Sequence, residues 1–381
     1  MALSFIDGNE AIARAAVQAG CRFFAGYPIT PATTIYQQML QLLPQVEGVC
    51  LQGEDEIASI GFCIGASMAG LKSMTATSGP GISLYSEQIS FAIGGEIPLV
   101  IVDVQRLGPS TGSATKGADG DIQFLRWSNS GGLPVIVLAP VDVSDCFILT
   151  MHAFNMSEKY RCPVFIASNK EIGMTRESID LGSLDTPELI DRTPGSRNQP
   201  HLPFQVPSGA MVPPFLPIGG EQLVRQTSST HGSEGYITVD TDIINGTIYR
   251  LEEKLTAAVE NFTFFEYDGD PQAETLLIVY GVTARAAKTA VEQIRTDGGF
   301  ISLLILKTLY PVPEKLITQS ISEVKRVVVV EMNLGQYVRE IQRLAGPQPV
   351  SHYGRMDGEL ISPEIIIGHL EKLEFSSNIK A

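Results

Sequence analysis

LKSMTATSGPGISLYSEQISFAIGGEIPLVIVDVQ, residues 71–105, contains two β-rich runs separated by a run with helical periodicity. LKSMTAT and IPLVIVDVQ predict strands, the second of them buried, and ISLYSEQISFAIGG predicts the helix between them. A helix that connects two strands of one sheet in this way makes the strands parallel. Residues 71–105 therefore predict part of a parallel α/β sheet.

The same alternation extends over residues 8–180. Further buried strands are expected at CRFFAGY, GLPVIVLAP and CPVFIAS, and further helices at GNEAIARAAVQAG and VSDCFILTMHAFNMSEKY. Strands that alternate with helices indicate a doubly wound parallel sheet. We therefore expect residues 1–245 to form an α/β domain of this class.

A proline-rich excursion, residues 183–235, closes this first domain. Between Pro187 and Pro217 it carries eight of the chain's 23 prolines, which cannot donate the backbone hydrogen bonds of helices and sheets. Loops longer than about 15 residues are uncommon without a function. The excursion is either a surface linker or an ordered segment that reaches over a neighbouring domain or subunit.

Strand and helix patterns resume after Gly246. A helical stretch leads into TLLIVYG, ARAAKTAVEQIRTDGG, FISLLILKTLYP and RVVVVEMN, a second βαβαβ series. We expect residues 246–381 to form a second, smaller α/β domain.

The charge and apolar content exclude several classes of function. A net charge of −15 without any basic run argues against nucleic-acid binding, and it makes the chain a poor docking surface for acidic electron carriers. The apolar runs are far shorter than the roughly 20 residues of a membrane span, and the N-terminus lacks a signal-peptide pattern. We expect a cytoplasmic protein.

The five cysteines do not predict a metal site. They lie 13 or more residues apart, without a CxxC pair or a cysteine–histidine pair at ligand spacing. We expect neither zinc nor an iron–sulfur cluster to be bound by this chain.

Three motifs are candidates for ligand binding. The loop GYPITP, residues 26–31, is stiffened by two prolines at the end of a predicted strand, and TSGPG, residues 77–81, brings glycines to a helix N-terminus. A tight strand–helix turn would use the same residues. GEDEIASIGFCIGASMAG, residues 53–70, is a helix of small residues that begins with three carboxylates. Such carboxylates complement the helix dipole, and one that is buried against apolar groups would also exchange a proton near neutral pH.

Five motifs together resemble the alpha subunit of 2-oxoacid:ferredoxin oxidoreductases, particularly of the 2-oxoglutarate type. They occur in order along nearly the whole chain as GYPITP, EDEIASIG, TATSGPG, VDVQRLGPSTG and EMNLGQ. The resemblance implies a pyrimidine-type thiamine diphosphate-binding domain over residues 1–245 and a transketolase C-terminal-like domain over residues 246–381. It also implies oxidative decarboxylation of a 2-oxoacid, with 2-oxoglutarate to succinyl-CoA as the first choice, or the reverse carboxylation, using coenzyme A and a low-potential electron acceptor.

Two alternative functions remain beside this one. The substrate of the same family could be a branched-chain or aromatic 2-oxoacid, or the chain could be a non-catalytic binding or regulatory paralogue. A Rossmann dehydrogenase is disfavoured, since no GxGxxG follows the first strand.

The resemblance also implies roles for particular residues. Glu56 matches the glutamate that hydrogen-bonds the aminopyrimidine of thiamine diphosphate, and Thr30 and Arg106 match residues that contact the carboxylate end of the substrate. Lys116 is a candidate for a distal substrate carboxylate, although a lysine in a Gly- and Ser-rich loop is more often simply exposed. The role of His231 stays open. Other residues expected to contact the cofactor are Tyr27, Pro28, Ile29, Ser78 and Gly79.

The family's diphosphate and Mg²⁺ motif, GDG followed by asparagine after 25 to 30 residues, has no match here. DGD at 119–121 and at 268–270 lacks a suitably placed asparagine, so each is expected to be a turn. The resemblance then implies a beta subunit that carries the diphosphate site, Mg²⁺ and an iron–sulfur cluster, and that receives ferredoxin. An (αβ)₂ assembly is expected. The coenzyme A site and any gamma or delta subunits stay open.

Overall fold

The computed structural model describes residues 3–197 and 200–378 of the chain. Before the proline-rich excursion the strands are β1 (Ser4–Asp7), β2 (Cys21–Gly26), β3 (Val49–Gln52), β4 (Lys72–Thr77), β5 (Leu99–Gln105), β6 (Ile136–Leu138), β7 (Pro163–Asn169) and β8 (Arg176–Ile179). The helices there are α1 (Gly8–Gln18), α2 (Thr33–Leu42), α3 (Glu56–Met68), α4 (Pro80–Leu84), α5 (Ser86–Gly94), α6 (Ile122–Trp127), α7 (Val143–Tyr160) and α8 (Lys170–Met174).

After the excursion a second series of elements follows. Its helices are α9 (Thr241–Thr256), α10 (Thr283–Thr296), α11 (Glu314–Ser322), α12 (Val338–Ala345) and α13 (Pro363–Asn378). Its strands are β9 (Phe265–Asp268), β10 (Thr275–Tyr280), β11 (Ser302–Leu306), β12 (Thr308–Tyr310), β13 (Arg326–Glu331) and β14 (Val350–Gly354).

The first large sheet has seven strands in the order β12-β6-β7-β5-β4-β2-β3. Strands β4 and β5 are parallel and in register with Thr77 opposite Asp103, which confirms the unit predicted over residues 71–105. The predicted helix of that unit is two helices, because the chain breaks at Tyr85. There the fully buried tyrosine bonds its hydroxyl to Thr75 Oγ1 at 2.8 Å.

Helices cover both faces of this sheet, as the doubly wound prediction requires. All of β5 is buried, and its side chains alternate: Val100, Val102 and Val104 join the apolar cluster of α1 and α7, whereas Leu99 and Ile101 join that of α3 and α5. The alternation follows from the two-residue period of a strand. It also directs Asp103 to the face that α3 and α5 cover.

The second large sheet has five strands in the order β14-β13-β10-β11-β9. All its pairs are parallel except that of β9, which runs antiparallel to β11 at one edge. Strand β12 lies between β11 and α11 in the chain, yet it pairs with β6 of the first sheet. One strand of the second series therefore ties the two halves together.

The excursion packs on the first half of the chain through buried charges. Arg192 Nε lies 2.6 Å from Glu158 Oε2 of α7, and Arg161 Nη1 donates to Pro213 O at 3.0 Å. Its described part is therefore an ordered segment and not a free linker. The predicted domain boundary at 245/246 lies inside α9, which begins at Thr241, and the division into two domains stays a prediction. Within the described ranges, no helix is long and apolar enough to cross a membrane.

Candidate active site

Three loops meet at the carboxyl edge of the first sheet. GYPITP follows β2, TSGPG follows β4, and the segment that begins with Arg106 follows β5. Strand β4 lies between β2 and β5, and all three strands are parallel. Parallel strands end on the same side of a sheet, which is where open α/β sheets bind their ligands.

Glu56 is the first residue of α3 and points inward from the helix start. Asp55 caps the helix by accepting from Ala58 N at 2.7 Å, which leaves Glu56 for the interior, where it is 8% exposed. A Cβ on Gly81 would lie 2.8 Å from Glu56 Oε1, so the last glycine of TSGPG is what allows this carboxylate to approach the loop. Among the residues described, Glu56 has no hydrogen-bond or ion-pair partner for its carboxylate.

Arg106 lies on the other side of the same loop. Its Nη1 donates to Thr30 O at 2.6 Å and its Nη2 to Thr111 O at 2.9 Å, while Nε is buried without a partner in the described part of the chain. A Cβ on Gly79 would lie 3.8 Å from Arg106 Nε. The guanidinium therefore joins GYPITP to the segment after β5, and no ion pair with a carboxylate neutralises it within the described residues.

TSGPG itself offers unsatisfied polar groups. Gly79 has a φ of +38°, a conformation that side chains rarely adopt. The hydroxyls of Thr77 and Ser78 are buried, and neither has a hydrogen-bond partner within the described residues. Buried polar atoms normally find a hydrogen-bond partner, so these two unpaired hydroxyls are candidate contacts for a ligand at this loop.

GYPITP is held to the domain by a residue that sequence reasoning missed. Asn9 on α1 donates to Pro31 O at 2.9 Å and to Thr34 Oγ1 at 2.7 Å, and the Thr30–Pro31 peptide is cis. Thr30 and Tyr27 are exposed, Tyr27 to 39%, and Pro28 and Ile29 are partly buried. The end of the loop is therefore attached to α1, whereas Tyr27 and Thr30 are exposed and accessible to a ligand.

The side chains of Lys116 and His231 bind groups outside the GYPITP and TSGPG loops. Lys116 Nζ is 2.5 Å from Glu359 Oε1, both side chains are exposed, and the hydrogen bond to Glu359 raises the pKa of the lysine. His231 is buried against the ring of Phe204 and bonds Ser229 O through Nδ1 at 2.7 Å. Its partners belong to the excursion, not to the three loops.

Buried carboxyl groups beneath the loops were not predicted. Asp103 lies within the apolar strand β5, and Asp119 and Asp121 lie between β5 and α6. Burial raises the pKa of Asp119 to about 7 and that of Asp121 to about 6. The sequence signals were an aspartate inside the buried run IPLVIVDVQ and the DGD at 119–121, which was expected to be only a turn.

The EMNLGQ motif of the second half contacts the segment that carries these carboxyls. Asp119 N donates to Met332 O at 2.9 Å, and Asn333 Nδ2 donates to Asp119 O at 2.9 Å. Gln123 N donates to Gln336 Oε1 at 2.9 Å. Through these hydrogen bonds, the EMNLGQ motif of the second half attaches to the segment between β5 and α6 and to the start of α6.

These residues fit the pyrimidine end of thiamine diphosphate. The Glu56 carboxylate, without a partner among the described residues, and the unpaired hydroxyl of Thr77 both lie within 3 Å of where a Cβ on Gly81 would be. Among the described residues, no group of three or more histidine, cysteine, aspartate or glutamate side chains is placed to hold a metal ion.

Comparisons with known proteins agree on one family. The family described as "Pyruvate flavodoxin/ferredoxin oxidoreductase, thiamine diP-bdg" matches residues 14–246, and "Pyruvate:ferredoxin oxidoreductase core domain II" matches residues 273–366. The chain is 40% identical over 365 residues to 2-oxoglutarate synthase subunit KorA of Methanocaldococcus jannaschii, covering 96% of this chain and 98% of that one. It is 33% identical to ketoisovalerate oxidoreductase subunit VorB of Methanothermobacter marburgensis, covering 99% and 100%.

Solved structures include a similar protein with ligands. 2-Oxoglutarate:ferredoxin oxidoreductase from Magnetococcus marinus, with 2-oxoglutarate, coenzyme A and succinyl-CoA bound, superimposes with a TM-score of 0.90 at 30% identity over 97% of this chain. The chain spans less than two thirds, 65%, of that longer chain. A split-gene transketolase, at 13% identity and a TM-score of 0.56, shares the fold alone.

Proposed function

The chain belongs to the pyruvate flavodoxin/ferredoxin oxidoreductase family, and on that premise we propose that it is the alpha subunit of a thiamine diphosphate-dependent 2-oxoacid:ferredoxin oxidoreductase. The observation that carries the proposal is the buried, unpartnered Glu56 carboxylate against Gly81, with Arg106 across the same loop. Thiamine diphosphate, when bound, supplies the carbon nucleophile that releases carbon dioxide from a 2-oxoacid.

In this proposal the chain's own residues orient the cofactor and the substrate. Glu56 holds a proton at the aminopyrimidine, and Ser78, Gly79 and the Tyr27–Ile29 stretch contact that ring. Thr30 and Arg106 take the carboxylate next to the keto group, which a planar guanidinium can bind through two oxygens. The intact set of Glu56, Thr30 and Arg106 speaks against a non-catalytic paralogue.

We propose 2-oxoglutarate as the substrate and coenzyme A as the acyl acceptor. The relatives named 2-oxoglutarate synthase are 37 to 40% identical to this chain, and the ketoisovalerate relatives are 31 to 33% identical. Leu107, the residue after Arg106, donates its N–H to Lys116 O at 2.8 Å, and in this proposal the Lys116 side chain leaves Glu359 to meet the distal carboxylate. A branched-chain 2-oxoacid is the second candidate, because those relatives match over almost the full length.

Lys116→Met tests this assignment. We expect kcat/KM for 2-oxoglutarate to fall about tenfold or more, and that for 2-oxoisovalerate, which has no distal carboxylate, to stay within about twofold. Glu359→Gln is the matched control, since it frees Lys116 and should not weaken 2-oxoglutarate. Equal effects on both substrates would argue that Lys116 is only a structural lysine.

A second subunit completes the site in this proposal. The outer face of α3, the helix that begins with Glu56, exposes Ile57 and Phe62, each to 47%, and a Cβ on Gly61 or Gly65 would touch nothing. A smooth apolar face next to the cofactor carboxylate suits close packing against another chain. We place there a beta subunit with the diphosphate and Mg²⁺ site and the iron–sulfur cluster, which ferredoxin would meet, in an (αβ)₂ assembly. A cytoplasmic location also stays a prediction.

The complex isolated without denaturation from the native cell tests the proposal by native mass spectrometry and by assay of a 2-oxoacid panel. A co-purifying subunit that adds thiamine diphosphate, Mg²⁺ and iron–sulfur mass, with turnover of 2-oxoglutarate, supports it. A homo-oligomer without cofactor overturns it in favour of a binding protein.

A further inference from the structure

The second sheet has a crevice at its carboxyl edge. Its strand order is β14-β13-β10-β11-β9, so the chain passes from β10 to β11 on one side and then crosses over to β13 on the other side. Open α/β sheets bind ligands at such a point, where the connections after two neighbouring strands lead in opposite directions. The crevice therefore lies between Gly281, which follows β10, and Met332, which follows β13.

Asp119 of the first half occupies this crevice and is 2% exposed. Its N–H donates to Met332 O at 2.9 Å, and Asn333 Nδ2 donates to its carbonyl oxygen at 2.9 Å. A Cβ on Gly281 would lie 3.1 Å from Asp119 Oδ2. On the other side Asn169, the last residue of β7, donates to Asp119 Oδ1 at 2.9 Å. The carboxyl edges of the two large sheets therefore meet at Asp119.

The second half also contacts the residues on either side of Asp119. Gln336 accepts from Gln123 N at 2.9 Å through Oε1 and donates to Gly120 O through Nε2. In the turn after β14, Gly358 lies against the stem of Lys116, because a Cβ on Gly358 would lie 2.6 Å from the Cβ of Lys116. Residues that follow β10, β13 and β14 thus all contact one stretch of the first half, from Lys116 to Gln123.

This stretch is the end of the loop that begins with Arg106. Asp121 N donates to Gln105 Oε1 at 3.0 Å, which closes the base of the loop. Arg106 itself donates to Thr111 O, farther along the loop, at 2.9 Å. A displacement of the stretch therefore changes the positions of two cations, Arg106 and Lys116.

We propose that Gln336 and Gly358 are positioning residues for this loop, through which the second half of the chain determines where Arg106 and Lys116 bind the two carboxylates of 2-oxoglutarate. The inference rests on the proposed function, in which those two cations bind the substrate. It adds that residues of the second half, without contacting the substrate, set the affinity for a 2-oxoacid with a distal carboxylate.

The two positioning residues act on different parts of the loop. At Gly358 the φ of +82° and the 2.6 Å approach to Lys116 both require glycine. An added methyl group must push the stem of Lys116 aside, and the ammonium group then meets the distal carboxylate less well. Gln336→Glu changes the backbone contact instead, because a carboxylate oxygen would face Gly120 O in place of the amide donor.

The first test measures KM and kcat for 2-oxoglutarate at one pH in the intact complex with Gly358→Ala. KM should increase about five- to twentyfold, with kcat within about twofold of wild type, because a charge-assisted contact is weakened while the cofactor site is unchanged. Gly298→Ala is the matched control: Gly298 has a φ of +88°, but a Cβ there meets no atom within 4 Å among the described residues. Both variants should lower the urea midpoint similarly, and only Gly358→Ala should raise KM.

Lys116→Met separates positioning from a general loss of structure. In that background Gly358→Ala should leave the KM for 2-oxoglutarate within about twofold, because the ammonium group that the turn positions is already absent. An equal increase of KM in both backgrounds, or the same KM in Gly358→Ala and Gly298→Ala, overturns this inference while 2-oxoacid turnover stands.

Gln336→Glu gives a second measurement where Gly358→Ala folds poorly. It should raise the KM for 2-oxoglutarate about three- to tenfold, because the loop loses a hydrogen bond to the second half. Gln348→Glu, which loses donors to Ile321 O and Val324 O within the second half, should keep the wild-type KM. An unchanged KM in Gln336→Glu also overturns the inference.

The wild-type complex distinguishes this inference from the proposed function. Turnover of 2-oxoisovalerate but not of 2-oxoglutarate overturns the inference together with the substrate assignment. A complex that turns over no 2-oxoacid overturns the proposed function itself.

Discussion

Three consecutive carboxylates at the start of α3 have three different environments. Glu54 is exposed, Asp55 caps the helix, and Glu56 is buried against Gly81. Only Glu56 belongs to the helix: Asp55 is its extended N-cap and Glu54 precedes the cap, so the path of the chain into the helix separates the three side chains. The exposed Glu54 therefore provides a matched control for Glu56, the proposed acid–base residue.

Glu56→Gln should reduce kcat by roughly 10²- to 10⁴-fold while the complex still assembles. Glutamine keeps the shape of glutamate but cannot hold and release a proton at the cofactor. Steady-state turnover of 2-oxoglutarate by the purified complex measures the change. Glu54→Gln should leave turnover unchanged, and unchanged turnover in Glu56→Gln itself would rule out the proposed role.

Arg106→Lys should raise the KM for 2-oxoglutarate by about 10- to 100-fold, with a smaller effect on kcat. A lysine keeps the positive charge but lacks the planar fork that reaches both Thr30 O and Thr111 O. Initial rates over a range of substrate concentrations separate KM from kcat. Arg339→Lys, on an exposed position of α12, is the control. Equal KM values for both variants would contradict a carboxylate-binding role.

At the scale of elements, α9 is fastened to the first half of the chain by one buried acid. Arg250 and Lys254 of α9 bind Glu96 between α5 and β5, at 2.7 Å and 3.0 Å. Arg250 also donates to Met211 O of the excursion. Loss of this carboxylate would leave two buried or nearly buried cations without a carboxylate partner.

Glu96→Gln should lower the free energy of unfolding by about 3–5 kcal/mol, the usual cost of breaking a buried ion pair on one side. Urea unfolding followed by circular dichroism measures this. Glu274→Gln, whose ion pair with Lys325 is exposed, should not shift the urea midpoint. Similar midpoints for the two variants would show that Glu96 does not secure α9.

The ion pairs of Glu96 also predict that the free energy of unfolding decreases at acid pH. Burial alone would raise the pKa of Glu96, but Lys254 and Arg250 lower it from 4.5 to about 2. A folded-state pKa below the unfolded value stabilises the protein above about pH 4.5, and the stabilisation is lost as the pH falls towards 2. The stability difference between wild type and Glu96→Gln should therefore shrink between about pH 5 and pH 2.5, and a constant difference would contradict this assignment.

At the scale of the whole molecule, the second half of the chain covers one side of the candidate site. EMNLGQ holds the loop after β5, and β12 joins the first sheet. The exposed apolar face of α3 is the remaining side, and we propose that the partner subunit covers it.

Phe62→Asp should prevent assembly of the complex while the chain still folds, because a charge in a packed apolar interface is costly to bury. Size-exclusion chromatography with the partner subunit, together with circular dichroism, separates assembly from folding. Phe300→Asp, at a position 54% exposed in the second half, should assemble normally. Normal assembly of Phe62→Asp would place the partner elsewhere.

The sequence by itself determined the parallel α/β architecture, the family and the loops GYPITP and TSGPG. Periodicity and short motifs are local properties that survive in a single chain read from end to end. The sequence did not reveal β1, β3 or the edge pairing of β12 with β6, because short strands are defined by partners far away in the sequence.

Only the tertiary structure showed the surroundings of the candidate site. It separated Glu56 from Glu54, paired Lys116 with Glu359, and buried Asp103 and Asp119 beneath the loops. Burial and charge contacts arise when distant segments pack, and they set the pKa of a carboxyl more strongly than its neighbours along the chain. The chemistry that a residue can perform therefore depended on the fold, although its identity could be read from the sequence.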